Sequence, residues 1–220
     1  ICEQTEDSMK RALVVWGGLE LHEPEEGALI VRDLLAGEGF AVTVTGDYAA
    51  LGDDAGRYDL IVPQITGGEL DRETSIRFCA AIEAGTGLAA FHHGLATSFP
   101  SNPRIRFLAG CTFATHPGDV ITYRVDPRVL HDPLMAGISS FEHTSEQYYL
   151  HVDPSVEVLA TTTFSGEHAA WKANVQVPVV FKSVYGRGRV FYTALGHKPR
   201  ELDRPEIRTI LHRGLLWATR

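Results

Sequence analysis

The chain is poor in cysteine, in long apolar runs and in positive charge, and each shortage removes a class of protein. Its 220 residues hold three cysteines, Cys2, Cys79 and Cys111, an odd number without the spacing of a metal clip. That excludes a disulfide framework and fits a reducing compartment, so a cytoplasmic location is the expectation. No apolar run approaches the roughly 20 residues that span a bilayer, so no membrane partner is expected. Twenty Lys and Arg against 28 Asp and Glu leave a net charge of −8. A protein that tracks phosphates shows the opposite balance, so nucleic acid is not an expected partner either. The opening ICEQTEDS is acidic where a secretory signal carries a basic region and an apolar core. Residues 1–8 read as a disordered tail or a remnant of cloning before Met9, and residues 9–220, without linker or repeat, as one domain.

Several motifs are missing as well. WGGLELH (16–22) follows the first apolar run but lacks the GxGxxG of a dinucleotide fold, so no nucleotide cofactor is expected. There is no HExxH, and no carboxylate pair spaced as in a glycosidase. What the sequence does contain is rhythm. RALVVWGG (11–18), FAVTVTGD (40–47), YDLIVPQIT (58–66) and LAAFHH (88–93) read as strands. EPEEGALIVRDLLAGEG (23–39) and LDRETSIRFCAAIEAGTG (70–87) read as helices closed by glycines. Alternation of this kind implies a parallel sheet covered by helices, an α/β fold.

After His93 the rhythm changes. The corner GLAAFHHGLATSF (87–99) reads as strand, turn and the start of a helix, and SNPRIRFLAGCTFATHPGD (101–119) as irregular. ITYRV (121–125), SFEHTSEQYYLH (140–151) and VEVLATTTF (156–164) read as strands without long helices between them. VPVVFKSVYGRGRVFYTALGH (177–197) is a hairpin turning at GRG, which makes GRGR a turn and not an anion site. RPEIRTILHRGLLWAT (204–219) closes the chain as an amphipathic helix. Trp16 and Trp171 read as core or rim packing.

In an open α/β sheet, ligands bind beyond the carboxyl ends of the strands. Three strands deliver histidines there. His22 follows the first strand, His92 ends the fourth with His93 beside it, and His197 follows the last strand. Glu142, His143, Glu146 and His151 form a fourth segment able to reach the same edge. Neutral imidazoles plus a carboxylate suit a divalent metal such as zinc, with His22, His92, His197 and Glu146 as ligands. The same groups suit direct proton transfer, with His92, His93 and Glu146 catalytic. Tyr148 and Tyr149 alternate across a strand, so one faces inward, and Tyr148, His22 and His197 are the candidate substrate contacts.

These residues also carry a resemblance. VPVVFKSVYGRGRVFYTALGH is similar to the closing signature of the ThuA-like (trehalose utilisation) family, and GLAAFHHG, SEQYYLHVDPSVEVLATT and YDLIVPQITGGEL look like its other segments. The resemblance covers residues 9–220. It implies a flavodoxin-like three-layer α/β/α sandwich of the class I glutamine amidotransferase kind, mostly parallel, with a hairpin and antiparallel strands in the C-terminal half. Amidotransferases carry Gly-x-Cys-x-Gly at the strand-to-helix corner. Two residues before Gly94, this chain has His92, so the resemblance implies no glutaminase activity. It further implies carbohydrate metabolism: a sugar substrate of the trehalose type or its 3-keto derivative, with a sugar dehydrogenase as partner. Isomerase, lyase and hydrolase chemistry all fit. Two other roles stay open at this point, a non-catalytic sugar-binding or regulatory module and an accessory subunit of the dehydrogenase. Assembly into a homo-oligomer stays open too.

Overall fold

The computed structural model describes residues 9–220, so the tail reading of residues 1–8 lies outside the described residues. The first half alternates as its sequence dictates. β1 (Arg11–Gly17) leads to α1 (Pro24–Gly37), β2 (Ala41–Thr45), β3 (Leu60–Ile65), α2 (Arg72–Glu83) and β4 (Gly87–Phe91). β3 and β4 are buried along their whole length, as expected of apolar runs at the centre of a covered sheet. α1 opens with Pro24 and two glutamates in its first turn, where the helix dipole favours negative charge. α2 opens at Asp71, whose side chain accepts hydrogen bonds from the amides of Glu73 and Thr74.

The second half contains α3 (Pro103–Ala109), β5 (Cys111–Thr115), β6 (Val120–Pro127), β7 (Phe141–Glu146), β8 (Tyr149–Val152) and β9 (Glu157–Thr163). It ends with β10 (Gln176–Tyr185), β11 (Gly188–Thr193) and α4 (Pro205–Ala218). Nine strands make one sheet in the order β2-β1-β3-β4-β11-β10-β9-β6-β7, while β5 and β8 form a separate antiparallel pair. From β2 to β11 every pairing is parallel, and from β11 to β7 every pairing is antiparallel. The fold is therefore α/β with parallel strands on one side of a large sheet. α1 packs on β1 and β2, α4 on β4 and β11, and α2 touches α3.

Four local expectations need correction. No helix follows His93: residues 93–97 form turns, and the next helix, α3, begins only at Pro103. The segment read as irregular holds α3 and β5, because its turn-forming residues serve as caps. Asn102 accepts from the amides of Arg104 and Ile105, Pro103 sits in the first turn, and Gly110 closes the helix at a φ of 63°. SFEHTSEQYYLH is two strands, since the chain leaves β7 at Glu146 and joins a different sheet as β8. Trp171 is 80% exposed and packs in no core.

Two features of this scaffold shape the site. The β6–β7 hairpin joins β9 only through Asp126–Thr161 and Pro127–Ala160, so the rest of it is free to bend over the sheet edge. The Arg106 guanidinium of α3 donates to the carbonyls of Leu95, Ala96 and Ser98, which gives the turns after His92 the partners that regular structure would have supplied.

Candidate metal centre and its cavity

Three strand ends and the bent hairpin converge. His22 closes a 3-10 turn after β1, His92 follows β4 directly, His197 lies four residues beyond β11, and Glu146 ends β7. One ligand atom from each of these four lies within 4.8 Å of the other three, and all four residues are buried. His92 has a φ of 45°, a left-handed conformation that a side chain rarely adopts. It is held there on both sides of the peptide unit. Its amide donates to the Thr193 carbonyl (2.7 Å), and its own carbonyl accepts from the Tyr192 hydroxyl (2.6 Å). Strain of this kind persists only where surrounding contacts over-determine it.

Hydrogen bonds behind the rings of His22 and His92 orient both toward the cluster. His92 Nδ1 donates to the Ala194 carbonyl (3.0 Å), so Nε2 is the atom that meets Glu146 Oε2 at 3.2 Å. His22 Nδ1 shares a hydrogen bond of 2.7 Å with Thr66 Oγ1. His197 Nε2 is buried without a hydrogen-bond partner and lies 3.5 Å from Glu146 Oε1. Orientation of a ligand imidazole through its second nitrogen is what metal sites require.

The electrostatics run the same way. Burial, with the neighbouring His92 and His197, lowers His22 to about 4. Burial, then His92, also lowers His197. Both rings are thus neutral near pH 7, the form that ligates. For Glu146, burial opposes ionisation, but the hydrogen bond to His92, with the electrostatic influence of the imidazoles of His92, His197 and His116 around it, outweighs it and holds the carboxyl at about 2. Imidazoles held neutral beside one ionised carboxylate form a donor set that fits a divalent ion such as zinc. A buried His/Glu cluster able to hold a metal is therefore present.

A cavity of about 800 Å³ opens onto this cluster. His22, Glu146 and His197 line it, together with Tyr148, Phe113 and His116. A model of the ThuA family, trehalose utilisation, matches residues 11–218 of the chain. The chain belongs to the ThuA family.

Solved structures agree on the fold. A ThuA-like protein from Parabacteroides merdae is 19% identical, with 96% of this chain and 90% of that one covered and a TM-score of 0.80. One from Bacteroides uniformis is also 19% identical, with 98% and 93% covered and a TM-score of 0.75. The β-galactosidase of Rahnella sp. R3 is 17% identical, and 96% of this chain superposes on 30% of that chain at a TM-score of 0.59. No curated protein matches.

The remaining candidates fall unevenly around the centre of this ThuA-family chain. Tyr148 is buried on the cavity wall with its ring 4.2 Å from that of His92, and burial raises its hydroxyl pKa. Tyr149 packs on Phe164 and Lys172 instead. His93 does not line the cavity. Its ring stacks on His22 at 4.5 Å and 6°, and its Nε2 accepts from the Gln64 amide (3.3 Å) in full burial. Burial, then His92, holds it well below the usual imidazole range. His93 is a buried support for His22, and Gln64, one polar residue inside the buried run of β3, is the sequence signal of that support.

His143 meets Glu201 (3.2 Å), while Glu142 and His151 are exposed. Two residues escaped the sequence reading. His116 lies on the cavity wall with Nε2 3.8 Å from Glu146 Oε1 and Nδ1 3.4 Å from Asp119. Glu201 accepts from His143, from the Ser145 hydroxyl and from the His197 amide. His116 directly follows β5, a strand hidden in the segment read as irregular, and Glu201 lies in a 3-10 turn whose charge looks like surface.

Proposed function

We propose that this protein is an enzyme of carbohydrate metabolism acting on a keto-sugar, of the class of trehalose-type disaccharides and their 3-keto derivatives. The observation that carries the reading is the burial of four ligand atoms within 4.8 Å of one another beside a cavity. His22, His92, His197 and Glu146 would hold a divalent ion there. When bound, such an ion supplies Lewis-acid polarisation of a sugar oxygen. The chain's own groups do the rest. The keto carbon acidifies the protons on its neighbours, and a base beside them can move one. His116 stands on the cavity side of Glu146 and is the residue we assign to carry that proton, with Asp119 behind its Nδ1. His93, stacked behind His22, does not reach the cavity and positions the ring in front of it.

The 3-keto group implies a preceding oxidation at that carbon, the work of a sugar dehydrogenase. The strand order β2-β1-β3-β4-β11 supports the finer reading of the scaffold as a flavodoxin-like, amidotransferase-like sandwich. In that reading His92 occupies the strained corner where an amidotransferase keeps its nucleophile, and the left-handed φ at His92 is in keeping with it.

The test is a zinc titration of tag-free protein, followed by proton-exchange and product analysis on a 3-keto glucoside. His92→Ala and His197→Ala are expected to lose metal binding and turnover together. His116→Gln is expected to keep the metal and lower turnover by about 100-fold, the scale of an acid–base contribution. Turnover at the parent rate in both histidine-to-alanine variants defeats the proposal.

A further inference from the structure

The cavity wall points to a different chemistry for the part of the substrate beyond the first sugar ring than the second hexose of a trehalose-type disaccharide. The residues at its mouth are apolar and open to solvent: Leu19 is 49% exposed, Leu21 62% and Val120 54%, with Phe113 and Pro100 beside them. The polar groups of the wall are largely engaged with the protein itself. Thr66 Oγ1 is shared with His22, Thr97 Oγ1 donates to the His93 carbonyl, and Lys198 Nζ donates to the Leu21 carbonyl and to Glu23. The Tyr148 hydroxyl, Thr112, His116 and Asp119 are what is left to meet a ligand's hydroxyls outside the four-residue cluster.

A disaccharide would have to bury its second hexose against this wall, and each hydroxyl that loses water without finding a partner weakens binding. An apolar group in the same place loses nothing and gains from the leucines and the valine. We propose that the site takes glycosides with one sugar ring at the His/Glu cluster and an alkyl or aryl aglycone against Leu19, Leu21, Phe113 and Val120. This rests on the keto-sugar reading for the identity of the sugar end, and on the wall alone for the other end.

Calorimetry with phenyl glucoside, hexyl glucoside and trehalose tests it. The first two are expected to bind at least about tenfold more tightly than trehalose. Leu21→Ser and Val120→Ser alter side chains that are already exposed and add no charge near the cluster, so they are expected to fold, to keep the parent's zinc affinity and to weaken the phenyl and hexyl glucosides by at least about fivefold. Equal or tighter binding of trehalose, no binding of any of the three, or rim variants with unchanged affinity overturns the proposal. The zinc titration is a separate readout, so failure at the rim and failure of the metal centre are told apart.

Discussion

At the scale of single residues, the site was legible where a side chain lies within a few residues of the end of a strand that the sequence itself shows. His22, His92 and His197 each sit just past an apolar run, and the rule that ligands gather beyond strand ends placed them together. Their protonation has a consequence for the metal-free protein. His22 is lowered to about 4, and His197 and His93 are lowered too, so in the folded chain these rings stay neutral where the unfolded chain has begun to protonate. The unfolded state binds more protons below the ordinary imidazole value of 6.5, and stability therefore falls as pH drops from 6.5 toward 4. Each such ring contributes a slope of up to about 1.4 kcal/mol per pH unit in that window. Glu146, held at about 2 against an ordinary 4.5, contributes stability that is present above 4.5 and lost only below it. Urea unfolding of metal-free protein at pH 7.5, 5.5 and 4.5 is expected to give steadily falling midpoints. Replacing His22 by Gln should flatten the decline, and an unchanged decline would remove His22 from its causes.

At the scale of elements, what the sequence made legible was whatever depends on neighbours along the chain. The buried runs of β1, β3 and β4, the helices between them and the β10–β11 hairpin all announce themselves through local periodicity. α3 did not, because at seven residues it is too short to show a period and its caps look like turn residues. The break between β7 and β8 did not either, since a change of sheet leaves no mark in an alternating run. Packing between elements also reverses a local rule. Glycine inside a helix ordinarily costs about 1 kcal/mol relative to alanine. Gly214 of α4 lies against the ring of Phe191 in β11, and a Cβ there would come within 2.1 Å of Cε1. Gly214→Ala is therefore expected to destabilise the protein by about 1–3 kcal/mol, the scale of overpacking, despite the better helix former. A raised midpoint in thermal unfolding would show that α4 can move away from β11 at little cost.

At the scale of the whole molecule, the cluster depends on bringing β7 back over strands that lie far from it in the sheet order, and no local pattern could have revealed that. Glu201 is the residue that fastens this arrangement. Its carboxylate accepts from His143 and Ser145 on β7 and, at 3.0 Å, from the amide of His197. It thus joins the element that carries Glu146 to the turn that carries His197 without touching the cluster centre. Burial opposes its ionisation, but the hydrogen bond and charge of His143, together with Ser145, keep its pKa below the ordinary carboxylate value. Removing the side chain leaves the His143 ring, the Ser145 hydroxyl and the His197 amide without their acceptor in a part-buried region, a cost of about 1–3 kcal/mol for each group left fully unpaired. Loss of outer support of this kind ordinarily lowers metal affinity by about 10- to 100-fold. Glu201→Ala is expected to show that loss in a zinc competition titration against a chelator, with the protein still folded by circular dichroism. Glu201→Gln keeps an amide oxygen that can accept from the His197 amide, so it should recover part of the affinity. Zinc affinity equal to the parent's in the alanine variant would mean that the hairpin is held over the sheet by its apolar contacts alone, and that Glu201 does not position the centre.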